Sequence, residues 1–401
     1  MKKKKDPGLV YLQSLNLKPV KTKREFMDQI LKNAEPEVST AIFEELDRRA
    51  QGYLNEEYFY NLKNSDLKTS MAFSGALDGD IIRRACNYIA DHRELFGRRI
   101  LDVGCDCGIM SCFLALTFPD SEILSIDLSE AALDNARELA NRLGLTNITF
   151  AKKDVRKLLA GDQYDTVFAM RGLISNLTVS GQEDSAWELE ESGNYFARAC
   201  SGYARALAEA VQPLGTLVTL EKIEKNGFLL GWLKALENAG MGIDEEAWEE
   251  LPCKELALNS EMQAIVCRRM ENRPRAIDVF VRMYETLTDF EQANYDGWMA
   301  KTAVYLKAGS MIRGFRTVDK EKGIVMKVAL YSYKEDVSMI MLAQYIDEFY
   351  QVSLFDRESQ KEMIDNLKII EEDERKRPGV TVTPLQDTGA GSRSGSSIIL
   401  S

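Results

Sequence analysis

The residues best suited to chemistry lie in Ile100-Leu101-Asp102-Val103-Gly104-Cys105-Asp106-Cys107-Gly108-Ile109-Met110-Ser111, where an apolar run gives way to a helix-spaced segment. Glycines at 104 and 108 let the backbone turn tightly and let a ligand come close to it. In open α/β sheets, ligands bind at this strand-to-helix edge. The dinucleotide pattern Gly-x-Gly-x-x-Gly would need glycine where Asp106 and Ile109 stand, and the Gly-Lys-Ser/Thr ending of a phosphate loop is missing. Asp102 and Asp106 would also place negative charge beside a diphosphate. A cationic ligand without phosphates suits these carboxylates better. Cys105, Cys107 and Cys112 cluster here, but their spacing is not that of a tetrahedral zinc site, so they read as small buried apolar residues.

A repeating pattern would hold this turn at a sheet edge. From Arg99 onward, short apolar runs at 100–103, 122–127, 147–150, 164–168 and 216–220 alternate with helix-spaced segments. Ala132, Ala136, Leu139, Ala140 and Leu143 share one helix face, as do Phe196, Ala199, Cys200, Tyr203, Leu207 and Val211. This alternation predicts right-handed βαβ crossovers and a mainly parallel sheet buried on both faces. A helix near 229–239 and a closing strand at 261–269 complete the core, placed at 96–270. Residues 1–95 read as an N-terminal helical lid, with stripes Phe26, Ile30, Leu31 and Val38, Ile42, Leu46 separated by Ala34-Glu35-Pro36. Tyr53, Tyr58, Phe59 and Tyr60 either line the mouth of a pocket or form the lid's own core.

Residues 275–375 read as a separate α+β unit. It contains a hairpin from 311–318 and 324–332 through 319–323, then a helix through Met341, Tyr345, Ile346 and Phe349, then a charged helix to Arg377. Residues 378–401 are rich in Gly, Ser, Thr and Pro and read as a disordered tail, whose end Ser396-Ser397-Ile398-Ile399-Leu400-Ser401 could alternatively serve as a docking peptide.

Composition narrows the function further. The chain has 401 residues, 45% of them hydrophobic, and a net charge of -12, which argues against a broad basic face for DNA or anionic lipid. No apolar run approaches the ~20 residues a membrane-spanning helix needs, and the basic opening Lys2-Lys3-Lys4-Lys5 precedes no signal-like apolar stretch. Seven cysteines without disulfide-like spacing fit reduced thiols in a cytoplasm. His92 is the single histidine, which excludes multi-histidine zinc sites and leaves the common hydrolase triads without support.

The 100–111 segment resembles motif I of the Rossmann-like, class I S-adenosylmethionine-dependent methyltransferases, and the resemblance covers roughly residues 70–270. It implies S-adenosylmethionine as cofactor, held by Asp102, Gly104, Cys105, Asp106 and Gly108, with Asp106 departing from the family's more usual middle glycine. By the same resemblance, Asp127 and Leu128 would meet the ribose, and Asp154 and Val155 would hold the adenine. Met170 and Arg171 would then lie closest to the transferred methyl. The segment 172–194 corresponds to a region that often borders the acceptor. Its Glu183, Asp184, Trp187, Glu188, Glu190 and Glu191, followed by Tyr195, either recognise a cation such as an amine or form a solvated acidic loop.

Arg171, Glu188, Glu191 and Tyr195 are therefore the acceptor-side candidates for catalysis, and no metal is expected. The Asn/Asp-Pro-Pro-Tyr/Phe and Pro-Cys signatures of DNA methylation are absent after the fourth run, so DNA is disfavoured, RNA less firmly. The expected activity is methyl transfer to a small-molecule or protein nucleophile. The rival is a degenerate fold kept as a scaffold or regulatory module. The C-terminal unit matches no named family and is open to acceptor binding, homo-oligomer formation or partner recognition.

Overall fold

The computed structural model describes residues 6–51, 53, 55–158, 161–173, 189–256, 258–283, 295–334, 339–346 and 349–386. Their contacts divide into two compact units. The described residues within Met1–Ser180, Ala197–Glu224 and Gly231–Val279 form the first, and those within Gly181–Phe196, Lys225–Leu230 and Phe280–Ser401 the second.

The first unit opens with five helices: α1 (Pro7–Ser14), α2 (Lys23–Asn33), α3 (Pro36–Ala50), α4 (Glu56–Lys63) and α5 (Leu67–Asp91). Their starts follow from local chemistry. Asp6, Thr22, Asn55 and Asp66 each accept a backbone N–H of the first turn, and Pro36 begins α3 where no amide partner is needed. The helix α1 carries too short an apolar stripe to be evident in the sequence. Phe59 joins Phe26, Ile30, Ile42, Phe73 and Ala76 in a core belonging to these helices, with Tyr60 packed against it. Tyr53 and Tyr58 are exposed.

The sheet follows as β1 (Arg99–Val103), α6 (Ile109–Thr117), β2 (Glu122–Asp127), α7 (Glu130–Arg142), β3 (Ile148–Lys152) and β4 (Tyr164–Met170). Then come α8 (Leu189–Ala210), β5 (Val211–Glu221), α9 (Gly227–Asn238), β6 (Gly242–Ile243), β7 (Glu249–Glu255), β8 (Leu258–Arg268) and α10 (Ala276–Arg282). Strand order is β3-β2-β1-β4-β5-β8-β6, with β7 also on β8. The first five strands are parallel and β8 runs antiparallel to β5, so the chain has the mainly parallel, Rossmann-like α/β architecture expected of it. Chain order reverses on either side of β1, and the crevice above the carboxyl ends of β1 and β4 is where such a sheet binds ligands.

The second unit contains β9 (Tyr295–Asp296), α11 (Gly297–Lys307), β10 (Ala308–Asp319), β11 (Ile324–Tyr333), β12 (Met339–Ile346), β13 (Phe349–Asp356), α12 (Gln360–Lys376) and β14 (Val380–Pro384). They form an antiparallel sheet in the order β14-β10-β11-β12-β13-β9. The hairpin of β10 and β11 closes at Asp319 opposite Ile324, with Gly323 at φ +68° in the turn.

Two sequence expectations are corrected here. Met341, Tyr345, Ile346 and Phe349 lie on paired strands β12 and β13, not on a helix. A spacing of four is also two periods of a strand, and burial of Met341, Ala343 and Tyr345 on one face with Ile340 on the other shows a sheet covered on both sides. The tail also begins later than 378, because Val380–Pro384 pairs antiparallel with β10 from Phe315 to Asp319. Residues 387–401, including the apolar end, lie outside the described residues.

Candidate functional site

The loop after β1 is held in place before any ligand is considered. The amides of Gly104 and Cys105 both donate to the Ile126 carbonyl, at 2.8 and 3.1 Å, and Gly108 donates to Cys105 O at 2.9 Å. Gly104 and Gly108 take φ of +77° and +79°. At Gly104 an added Cβ would meet nothing within 4 Å among the described residues, which leaves open space over the turn. At Gly108 it would come 2.7 Å from Ala136 Cβ, so that glycine lets α6 begin against α7.

The three expected acidic anchors occupy different environments. Asp102 is buried, and its carboxylate accepts a short bond from Ser111 on α6 and a 3.3 Å bond from Ser125 on β2. Burial pushes its pKa up to about 6. Its place is beneath the loop, bracing strand to helix. Asp127 is half-buried at the end of β2. Its Oδ2 accepts the Asp106 amide and its Oδ1 the Ser129 amide, both at 2.9 Å, and burial raises its pKa. Asp154 accepts both the amide and Nε of Arg156. Burial works against its charge, but these bonds outweigh it and hold the carboxyl below its usual value.

Of the flanking residues, Cys105 and Val155 are buried, Met170 is half-buried and Leu128 is exposed. Burial pushes the thiols of Cys107 and Cys112 up to about 12, as suits inert packing residues.

Asp106, standing at the middle position of the loop, adopts φ +47°. Lys63 Nζ donates to its Oδ2 at 2.6 Å and Asn64 Nδ2 to its Oδ1 at 3.0 Å. Nothing in the sequence signalled Lys63 or Asn64, because they come from the end of α4, 43 and 42 residues upstream.

The acceptor-side candidates separate. Arg171 follows β4 with φ +55°, donates its amide to Leu220 O, and pairs through its guanidinium with Asp78 on α5. Its charge is thus already committed to a neighbouring carboxylate. Glu191, exposed, and Tyr195, half-buried, lie on the first turns of α8 and belong to the second unit. Glu183, Asp184, Trp187 and Glu188 fall outside the described residues.

Beside the loop after β4 lies an acid that the sequence reading missed. Glu221 ends β5, is 1% exposed, and accepts the amides of Leu173, at 3.2 Å, and Gly172. Burial pushes its carboxyl up to about 8. An acid closing an apolar strand is the same signal as Asp127 closing β2, and it could have been found on that ground. Behind the loop, a Cβ at Gly172 would come 2.3 Å from the Tyr203 hydroxyl. Tyr203 stacks on Trp232 at 6.0 Å, and its hydroxyl is buried without a hydrogen-bond partner among the described residues.

This arrangement suits a ligand that is cationic and free of phosphates. Carboxylates from β2 and the loop after β3, together with an open left-handed glycine after β1, line one sheet edge.

Residues 100–189 match the family described as a methyltransferase domain. Over 142 residues the chain is 23% identical to the (S)-tetrahydroprotoberberine N-methyltransferase of Eschscholzia californica, covering 30% of this chain and 41% of that protein. It is 33% identical over 70 residues to the release factor glutamine methyltransferase of Xylella fastidiosa, covering 18% and 26%. A solved magnesium protoporphyrin IX methyltransferase from Synechocystis, with bound S-adenosylmethionine, is similar at TM-score 0.33 and 20% identity over 48% of this chain and 82% of that one. The chain thus spans less than half the length of the curated relatives it matches.

Proposed function

We propose that this chain, whose residues 100–189 carry a methyltransferase domain of the class I S-adenosylmethionine-dependent family, transfers a methyl group from that cofactor to a small-molecule or protein nucleophile. The observation that carries this reading is the set of acidic residues at the ends of β1 and β2 and just after β3, together with the two left-handed glycines that follow β1. Asp127 would hold the ribose hydroxyls, because the backbone amides of Asp106, Leu128 and Ser129 leave its two oxygens with acceptor capacity to spare. Asp154 would face the adenine. Asp102 would act from below, keeping Ser111 and β2 in register with the loop. Gly104 leaves room for the methionine end to approach the backbone.

When bound, S-adenosylmethionine supplies a sulfonium methyl that is already activated. The protein's own contribution is to orient the acceptor and exclude water. Asp78 fixes Arg171, and Glu221 fixes the amides of Gly172 and Leu173, so residues 171–173 are held in place at the end of β4. The relatives include one named for an alkaloid nitrogen and one for a protein glutamine, which supports both acceptor classes without choosing between them.

Calorimetric titration with S-adenosylmethionine and with S-adenosylhomocysteine tests the reading. Micromolar binding of either is expected. Asp127→Ala should weaken it by ~1.5–3 kcal/mol, the scale of charge-assisted hydrogen bonds. Absence of binding by the folded parent protein would make the domain a scaffold instead. For the acceptor side, Glu188→Gln combined with Glu191→Gln should raise the acceptor's KM and leave cofactor affinity unchanged. If both parameters stay as in the parent, those acids are only a solvated surface.

A further inference from the structure

The loop's one departure from the family pattern, Asp106, brings a third carboxylate to a turn that already has Asp102 beneath it and Asp127 beside it. A left-handed backbone is tolerated by aspartate but suits glycine better. Uncompensated, a buried third charge of the same sign would work against the loop itself. The compensation comes from α4. The Lys63 side chain is 9% exposed and donates to Asp106 Oδ2 at 2.6 Å, with its ammonium 5.9 and 5.5 Å from the rings of Tyr60 and Phe73.

Asn64 completes the clamp. It donates to the other Asp106 oxygen, accepts the Ser70 hydroxyl at 2.6 Å, and its carbonyl accepts Asn135 Nδ2 at 3.1 Å, which ties α5 and α7 into the same network. The main-chain amide of Asp106 in turn donates to Asp127, so the clamp is one residue away from the carboxylate assigned to the ribose.

We propose that Lys63 is a positioning residue for the cofactor: by pairing with Asp106 it holds the loop in its binding form and makes cofactor affinity depend on the N-terminal helices. This rests on the cofactor reading above. Lys63 and Asp106 act as one unit, so the pair can be removed together more safely than either half alone. A lone buried charge is costly, whereas replacing both partners is often close to neutral.

The experiment is a double-mutant cycle on the full chain, reading S-adenosylhomocysteine affinity by calorimetry and folding by thermal melting. Lys63→Met leaves Asp106 unpaired and should weaken binding at least ~30-fold. Asp106→Gly restores the family's usual residue but strands Lys63, and should also weaken binding. The double variant K63M/D106G, with neither charge, should return to within ~3-fold of the parent. If K63M does not fold, D106G and the double variant decide: weaker binding by D106G that K63M restores supports the pair, and equal binding by the two overturns it. The proposal is overturned if K63M binds like the parent, if the two losses simply multiply in the double variant, or if a folded double variant binds no better than K63M. A parent that binds no cofactor fails the functional reading first and removes this inference with it.

Discussion

Replacing Glu221 by glutamine offers a direct test of how the site's second wall is built. The carboxyl ends β5 at 1% exposure and its acceptor bonds to Gly172 and Leu173 are made to backbone amides. The groups that act on it are Arg171, whose guanidinium is paired with Asp78, and the Cys200 thiol and Tyr203 hydroxyl of α8. Burial outweighs the amides and Arg171, taking the pKa from 4.5 to about 8. The folded protein therefore holds this proton more tightly than the unfolded chain does. Stability from that proton is fully present below pH 4.5 and is lost as pH rises towards about 8.

Glutamine has nearly the same shape, keeps a carbonyl oxygen for the amides and does not titrate. The stability difference between Glu221→Gln and the parent should thus be near zero at pH 4.5 and grow in favour of the variant by ~1.4 kcal/mol per pH unit, levelling off near ~5 kcal/mol. Asp102, raised to about 6 by burial, titrates in both proteins and cancels from the difference. Urea unfolding between pH 5 and 9 measures it. Parallel curves for the two proteins, or a variant that loses stability as pH rises, would refute the reasoning.

Two packing predictions follow from the glycines. Gly172→Ala would bring a Cβ to 2.3 Å from the Tyr203 hydroxyl, and should destabilise the protein by ~1–3 kcal/mol. Tyr203→Phe removes that hydroxyl, which is buried without a partner among the described residues, so it should cost little alone and should recover most of the Gly172→Ala loss. Equal losses in both backgrounds in denaturant titrations would show that the contact is not the cause. Gly108→Ala combines a φ of +79° with a Cβ 2.7 Å from Ala136, and should cost at least ~2 kcal/mol and weaken cofactor binding. An alanine variant with the parent's melting temperature would contradict the tight α6–α7 approach.

The first unit's sheet was legible because a strand buried on both faces must be an apolar run, and a crossover helix must show a period near 3.6. The runs at 100–103, 122–127 and 164–168 carry no competing signal. In the second unit that advantage disappears. Met341, Tyr345 and Phe349 satisfy helix and strand spacing together, and only the pairing of β12 with both β11 and β13 decides between them. Likewise Val380–Pro384 has the composition of a linker, and it becomes a strand because β10 offers an edge.

The same distinction separates the parts of the site. Asp102, Gly104, Gly108 and Asp127 are cofactor candidates by resemblance to motifs that each lie within one short segment. Lys63 could not be found that way, for its meaning depends on Asp106, 43 residues away. Yet the sequence did carry the other half of the clue. An aspartate in a left-handed loop position, next to two further carboxylates, is a local inconsistency that some distant cation must resolve. A departure from a family's motif is thus informative in its own right, since its charge, size and backbone demand specify what the rest of the fold must provide. Here they call for a buried ammonium and a second donor, and Lys63 at the end of α4 and Asn64 just after it stand 2.6 and 3.0 Å from the two oxygens.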